Sequence, residues 1–204
     1  MDVIRDALSV VLNLVNAYME NLDQSGGAWV TMTSLVDHDG TLNQSARDKI
    51  VMVVYNITRE TVFGTYQPTA ASKPPQGAGD SFAMVAPPLY VNVHLMFMAN
   101  FSENTYPDGL AALSRVISFF QQNPYFNHNN APALSPDIDK LTLEFENLSP
   151  VDVNYVMGML GTRYLPSVFY KLRMLPFAST AMQGRAYAVA GAGVSGPGPA
   201  GPAE

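Results

Sequence analysis

The chain contains no cysteine. Disulfides, thiolate metal sites and cysteine nucleophiles are thereby excluded, and a reducing compartment is permitted. Charge is also scarce: Asp, Glu, Lys and Arg make up 14% of 204 residues, with 11 basic against 17 acidic side chains. The basic residues form no block, and the net charge of -6 leaves no excess to displace counterions from phosphates. No nucleic-acid partner is expected. No apolar run reaches the roughly 20 residues that span a bilayer, so direct membrane insertion is not expected either. The first residues lack the form of a signal peptide, because Asp2, Arg5 and Asp6 precede an apolar pattern broken by Ser9, Asn13 and Asn16. Few solubilising charges beside 11 Met, 10 Tyr and 10 Phe imply surface hidden against partners.

What remains is pattern. Ile4, Leu8, Val11, Leu12, Val15, Tyr18 and Met19 follow helical spacing, with Asp2 placed to cap, and predict a helix that covers a sheet. The most apolar stretch, "PPLYVNVHLMFMANF" (87–101), opens on two prolines and carries strand formers. It predicts a central strand with both faces covered, in which His94 is a hydrogen-bonded residue rather than a ligand. Further strands are expected over 49–61, 140–148 and 168–175, with a shorter one over 29–36. "YPDGLAALSRVISFFQQNP" reads as a helix ending before Pro124. "SPVDVNYVMGMLG" reads as another, with Ser149 as N-cap, Pro150 first and Gly161 as the stop. The order predicts an α+β fold: a mostly antiparallel sheet of about four to five strands packed by about three helices. Residues 1–182 are expected to form this domain, with 67–79 a loop and 183–204 a flexible Gly/Pro/Ala-rich tail.

Chemistry is sparse. "GAGVSG" (191–196) has spaced glycines but neither the strand before nor the helix after that a dinucleotide site requires. Asp37, His38 and Asp39 of "DHDG" could ligate a metal, yet Asp39-Gly40 suits a hairpin turn. Glu144 and Glu146 share one strand face, about 7 Å apart. Such a pair can run glycoside hydrolysis, but Lys171 and Arg173 on a neighbouring strand make cross-strand pairing the simpler account. No residue is singled out as catalytic, cofactor-binding or metal-ligating, and no cofactor is expected.

Three segments carry a resemblance: "FAMVAPPLYVNVHLMFMANF", "YPDGLAALSRVISFFQQNPYF" and "IDKLTLEFENLSPVDVNYVMGMLGTRYLPSVFYKLRMLPF". Through them the chain resembles the tail-terminator or cap proteins of extracellular contractile injection systems, the antifeeding-prophage-like particles related to phage tails. The resemblance runs over 2–182 and is most specific over 84–126 and 138–177; the loop 67–79 and the tail depart from it. It implies a non-enzymatic hexameric ring that ends the inner tube and joins the last tube ring to the last sheath ring. Implied partners are further copies, the inner tube protein, the sheath protein and a possible second cap paralogue. Implied locations are the bacterial cytoplasm during assembly and the distal end of the particle. Terminators of contractile phage tails or of membrane-bound secretion systems remain the alternative. The matching polar-aromatic loops offer Asn104, Tyr106, Asp108, Gln121, Gln122, Asn123 and Tyr125 as a tube or ring interface. Tyr187 and Val189, the last bulky side chains, are offered as the sheath contact.

Overall fold

The computed structural model describes residues 2–22, 27–37, 40–41, 43–60, 70–72, 81–85, 89–177 and 182–187. In chain order the elements are α1 (Val3–Leu22), β1 (Val30–Met32), β2 (Lys49–Arg59), β3 (Ala70–Ser72), β4 (Ser81–Val85), β5 (Leu89–Asn100), α2 (Tyr106–Gln122), β6 (Tyr125–Asn127), β7 (Lys140–Glu146), α3 (Pro150–Met159), β8 (Ser167–Phe177) and β9 (Met182–Tyr187). The chain divides into two compact units, residues 1–65 with 88–177, and residues 66–87 with 178–204.

The first unit holds a six-stranded sheet in the order β1-β2-β5-β8-β7-β6. Only β1 and β2 run parallel; every other pair is antiparallel. The mixed, mostly antiparallel α+β fold matches the expectation. The sheet is one strand wider than expected because β6, three residues long, is too short to show a period. The apolar stretch 87–101 supplies β5, which pairs with β2 on one side and β8 on the other. Both of its faces are buried from Val91 to Ala99. No described helix is long and apolar enough to cross a membrane.

Alternation along β5 sends its side chains into two cores. Val93, Leu95, Phe97 and Ala99 pack with Val11, Val15 and Met19 of α1 and with Leu113, Val116, Phe119 and Phe120 of α2. Met96 and Met98 pack with Val51, Phe169 and the α3 residues Val156 and Met157. The sheet is thus a middle layer, with α1 and α2 on one face and α3 on the other. Phe97, Phe120 and Tyr170 form the aromatic centre of the first core, Phe120 and Tyr170 at 4.7 Å between centroids. Full burial of a side chain such as Phe97 contributes about 1.5–3 kcal/mol.

Local chemistry sets the element ends. Ser149 Oγ accepts from the Asp152 N–H at 3.2 Å and Pro150 takes the first position of α3, as expected. Gly161 adopts φ +66°. Its N–H donates to Gly158 O and the Thr162 N–H donates to Met157 O, which closes the helix in a Schellman motif. One sheet edge is closed by a side chain: Asn16 of α1 donates from Nδ2 to Val30 O (2.9 Å) and accepts from the Val30 N–H (2.8 Å). That amide takes the place of a further strand at β1. In the sequence Asn16 registers only as an interruption of the apolar pattern.

The second unit, described by itself, is a three-stranded antiparallel sheet in the order β3-β4-β9. β3 lies inside 67–79, read from composition as a loop. Three residues of paired backbone need no apolar pattern, so composition carries no signal for such a strand. β9 begins at Met182 and runs on to Tyr187, past residue 183 where the tail was expected to begin.

Candidate functional site

The residues offered as an interface lie around α2. Asn104 sits in the single 3-10 turn before the helix, Tyr106 and Asp108 are in its first turn, and Gln121 and Gln122 are in its last. Asn123 ends the helix, donating from both its backbone N–H and its Nδ2 to Phe119 O. Tyr125 opens β6, with the Lys140 ammonium 4.6 Å from its ring centroid. Six of the seven are exposed and Asn123 is half-buried. The helix separates them into two groups: 16 rises of 1.5 Å place its ends about 24 Å apart. Phe119, Phe120 and Phe126, between and beyond the helix-end polar residues, are core. Tyr187 pairs with Ser81 in the second unit. Val189 lies outside the described residues, as do His38, Asp39 and 191–196.

An exposed stripe joins the two groups. At about 100° per residue, Tyr106, Leu110, Ser114, Ile117 and Gln121 fall within about 80° of arc. All five are exposed. The helix carries only two charged residues, Asp108 and Arg115, and neither lies on that stripe.

A second stripe lies across the sheet, on α3. Val151, Tyr155 and Met159 are 61%, 67% and 70% exposed, and Tyr164 just beyond is 69% exposed. The opposite side of the same helix is buried through Val156 and Met157. A helix apolar on both sides has a second face left to cover. Its signal was present in the sequence, since Val151, Tyr155 and Met159 recur every fourth residue. The caps of α3 predict where the helix lies and say nothing of this second stripe. Gly158 faces the same exposed side, and a groove of about 550 Å³ runs beside it, lined in part by Leu148, Val153, Met157, Tyr164 and Phe169.

The polar residues of the α3-side sheet face form two connected groups. In one, His94 Nδ1 lies 2.8 Å from Glu146 Oε2, and His94 Nε2 lies 2.9 Å from Thr58 Oγ1. The Tyr55 hydroxyl donates to the same Glu146 oxygen at 2.8 Å, and Lys171 Nζ lies 3.3 Å from the other. A bulge in β2 between Val54 and Asn56 leaves Tyr55 outside the ladder, and its ring makes edge contacts with His94 and Phe169. Burial pushes the Glu146 carboxyl up, but hydrogen bonds from His94 and Tyr55 outweigh it and leave the group below its usual range. Burial first, and Glu146 second, push the Tyr55 hydroxyl up. In the other group, Arg173 binds Glu60 at 2.9 Å and Glu144 at 2.9 Å. The hydrogen bonds that the guanidinium donates to Glu144 and Glu60 push its pKa up.

Thr58, His94 and Glu146 have the connectivity of a nucleophile, a base and an orienting acid. The groove beside Gly158 is not lined by Thr58. Glu144 and Glu146 are instead paired with Arg173 and Lys171, as cross-strand pairing required. No group of three or more His, Asp or Glu residues suited to a metal occurs among the described residues. Around "DHDG", the Asp37 N–H donates to Thr41 O and the Gly40 N–H donates to Asp37 O, which ties the two ends of the segment together.

The model of the Pvc16 N-terminal domain family matches residues 7–190. No curated protein sequence matches. Among solved structures, the sheath/tube terminator of the extracellular contractile injection system PVC, in its extended state, aligns with a TM-score of 0.57 at 12% identity. That alignment covers 98% of this chain and 65% of the other. The anti-feeding prophage cap, a tube-terminating cap, aligns with a TM-score of 0.50 at 14% identity, over 85% of this chain and 56% of the other. The chain therefore spans less than two thirds of the length of either, and the likeness establishes the fold.

Proposed function

The chain belongs to the Pvc16 N-terminal domain family, and on that footing we propose that it is a structural terminator of a contractile injection system. It forms a ring of copies, six-fold by the resemblance, on the end of the inner tube distal to the baseplate. It stops tube growth and links the last tube ring to the last sheath ring. The mechanism is geometric: one face occupies the surface that would recruit the next ring, and the opposite face offers no equivalent, so heterologous stacking ends. Assembly takes place in the bacterial cytoplasm, without catalysis or cofactor. The inner tube protein and the sheath protein are the partners, with room for a second cap paralogue.

The observation that carries this reading is a terminator-like fold over nearly the whole chain whose outer helices expose apolar, almost uncharged faces. Such faces suit an assembly component. Asn104, Tyr106, Asp108, Gln121, Gln122, Asn123 and Tyr125 contact the tube or the neighbouring copy from the two ends of α2. Tyr187 and Val189 lead toward the sheath.

The test is deletion of the gene, followed by measurement of tube and sheath lengths in assembled particles by electron microscopy. Tubes of variable length with unstable or pre-contracted sheaths are expected. Particles of normal length with intact sheaths would remove the terminator role. A truncation after Met182 that leaves sheath attachment unchanged would remove Tyr187 and Val189 from the contact.

A further inference from the structure

We propose that copies of this chain join head to tail, the outer stripe of α3 on one copy packing antiparallel against the outer stripe of α2 on the next. This rests on the ring-forming reading above and names the two surfaces that build the ring.

A closed ring needs two different, complementary patches on each copy. Among the described residues two apolar helix stripes are exposed, and they lie on opposite sides of one sheet: Tyr106, Leu110 and Ile117 on α2, Val151, Tyr155 and Met159 on α3. A pairing of α3 with α3 would close a dimer and leave the α2 stripe in water.

Charge chooses the direction. Exposed Glu103 and Asp108 flank the N-terminal end of α2, and exposed Arg163 follows the C-terminal end of α3. At the other ends, exposed Lys140 lies beside Tyr125 just past α2, and exposed Asp152 is in the first turn of α3. Antiparallel packing brings opposite charges together at both ends and aligns the helix dipoles favourably. Parallel packing would set acid against acid.

Gly158 supplies an independent sign. It is an interior residue of α3 on the exposed side, and a Cβ built there meets nothing within 4 Å. Nothing among the described residues calls for glycine, which weakens a helix. Its use is to let a neighbouring helix approach closely between Tyr155 and Met159.

The absence of cysteine makes the contact directly readable. Ser114 lies mid-stripe on α2, facing Gly158 of the next copy in this arrangement. The double variant Ser114→Cys/Gly158→Cys, oxidised as the purified full chain and within assembled particles, is expected to give a ladder of disulfide-linked copies. Each single cysteine variant is expected to give none. Dimers from either single variant, or no ladder from the double variant in both preparations, would overturn the proposal.

A second pair of variants keeps the test independent of cysteine geometry. Leu110→Asp and Tyr155→Asp are each expected to weaken self-association by about 30-fold or more, the loss typical of a central interface residue. Mixed together they are expected to form a dimer and nothing larger, because each retains one intact patch. Wild-type-like association of either variant, or a mixture that stays monomeric, would overturn the proposal. A ladder in particles whose lengths do not depend on the gene would keep this contact and remove the terminator role; lost length control without a ladder would do the reverse.

Discussion

Glu146 Oε2 and His94 Nδ1 lie 2.8 Å apart although strand β8 runs between their own strands. The same carboxylate oxygen accepts from Tyr55, which reaches it from β2. One carboxylate therefore holds four neighbouring strands in register from the α3 side. No side-chain polar atom is buried without a partner among the described residues, so the group acts as a satisfied structural clamp.

Removal of the clamp is expected to cost stability and to change its pH dependence. His94→Ala leaves the part-buried Glu146 short of a donor and is expected to cost about 1–3 kcal/mol in urea unfolding. A carboxyl whose folded-state pKa lies below its unfolded value of 4.5 stabilises the fold above that value. The contribution fades as pH falls through the folded-state pKa. Wild type is thus expected to lose stability below about pH 4.5 more steeply than Glu146→Gln. Parallel stability–pH curves for the two proteins would show that Glu146 does not act in this way.

Arg173 has a different weight. The Glu60 side chain is only 3% exposed and Arg173 binds it at 2.9 Å. Arg173→Leu strips a guanidinium from a buried carboxylate and is expected to destabilise by about 3 kcal/mol, much of it recovered in Glu60→Gln/Arg173→Leu. Chemical denaturation of the two variants is the measurement. Equal stability of the single and double variants would mean that the cost lies elsewhere.

Two glycines at the end of one helix are expected to respond with opposite sign. Gly161 holds φ +66°, so Gly161→Ala is expected to lose about 1 kcal/mol. Gly158 is helical with open space around it, so Gly158→Ala is expected to gain about 0.5–1 kcal/mol in the isolated chain. Thermal melts of both variants decide this. A loss at Gly158 would mean that the glycine serves the fold of the single chain.

The amino-acid sequence by itself determined the α+β class, the order of the long elements, the central place of 87–101 and the caps of α3. Each of these is written in local terms: a period, a capping hydroxyl, a proline at a first turn, a glycine at a stop. The charge pairing of Glu144 and Glu146 was legible too, because alternation puts both on one face beside a strand carrying Lys171 and Arg173. Tertiary structure alone decided what depends on partners distant in the chain. Asn16 closing the β1 edge, the Tyr55 bulge and the bond from His94 to Glu146 span separations that no periodicity encodes. The same holds for the proposed interface. The sequence shows that α3 is apolar on both sides, but only its seating against Met96, Met98 and Phe169 decides which side is used within the chain. The side left over, with Val151, Tyr155 and Met159, is exposed on the single chain because a single layer of sheet can bury only one face of a helix.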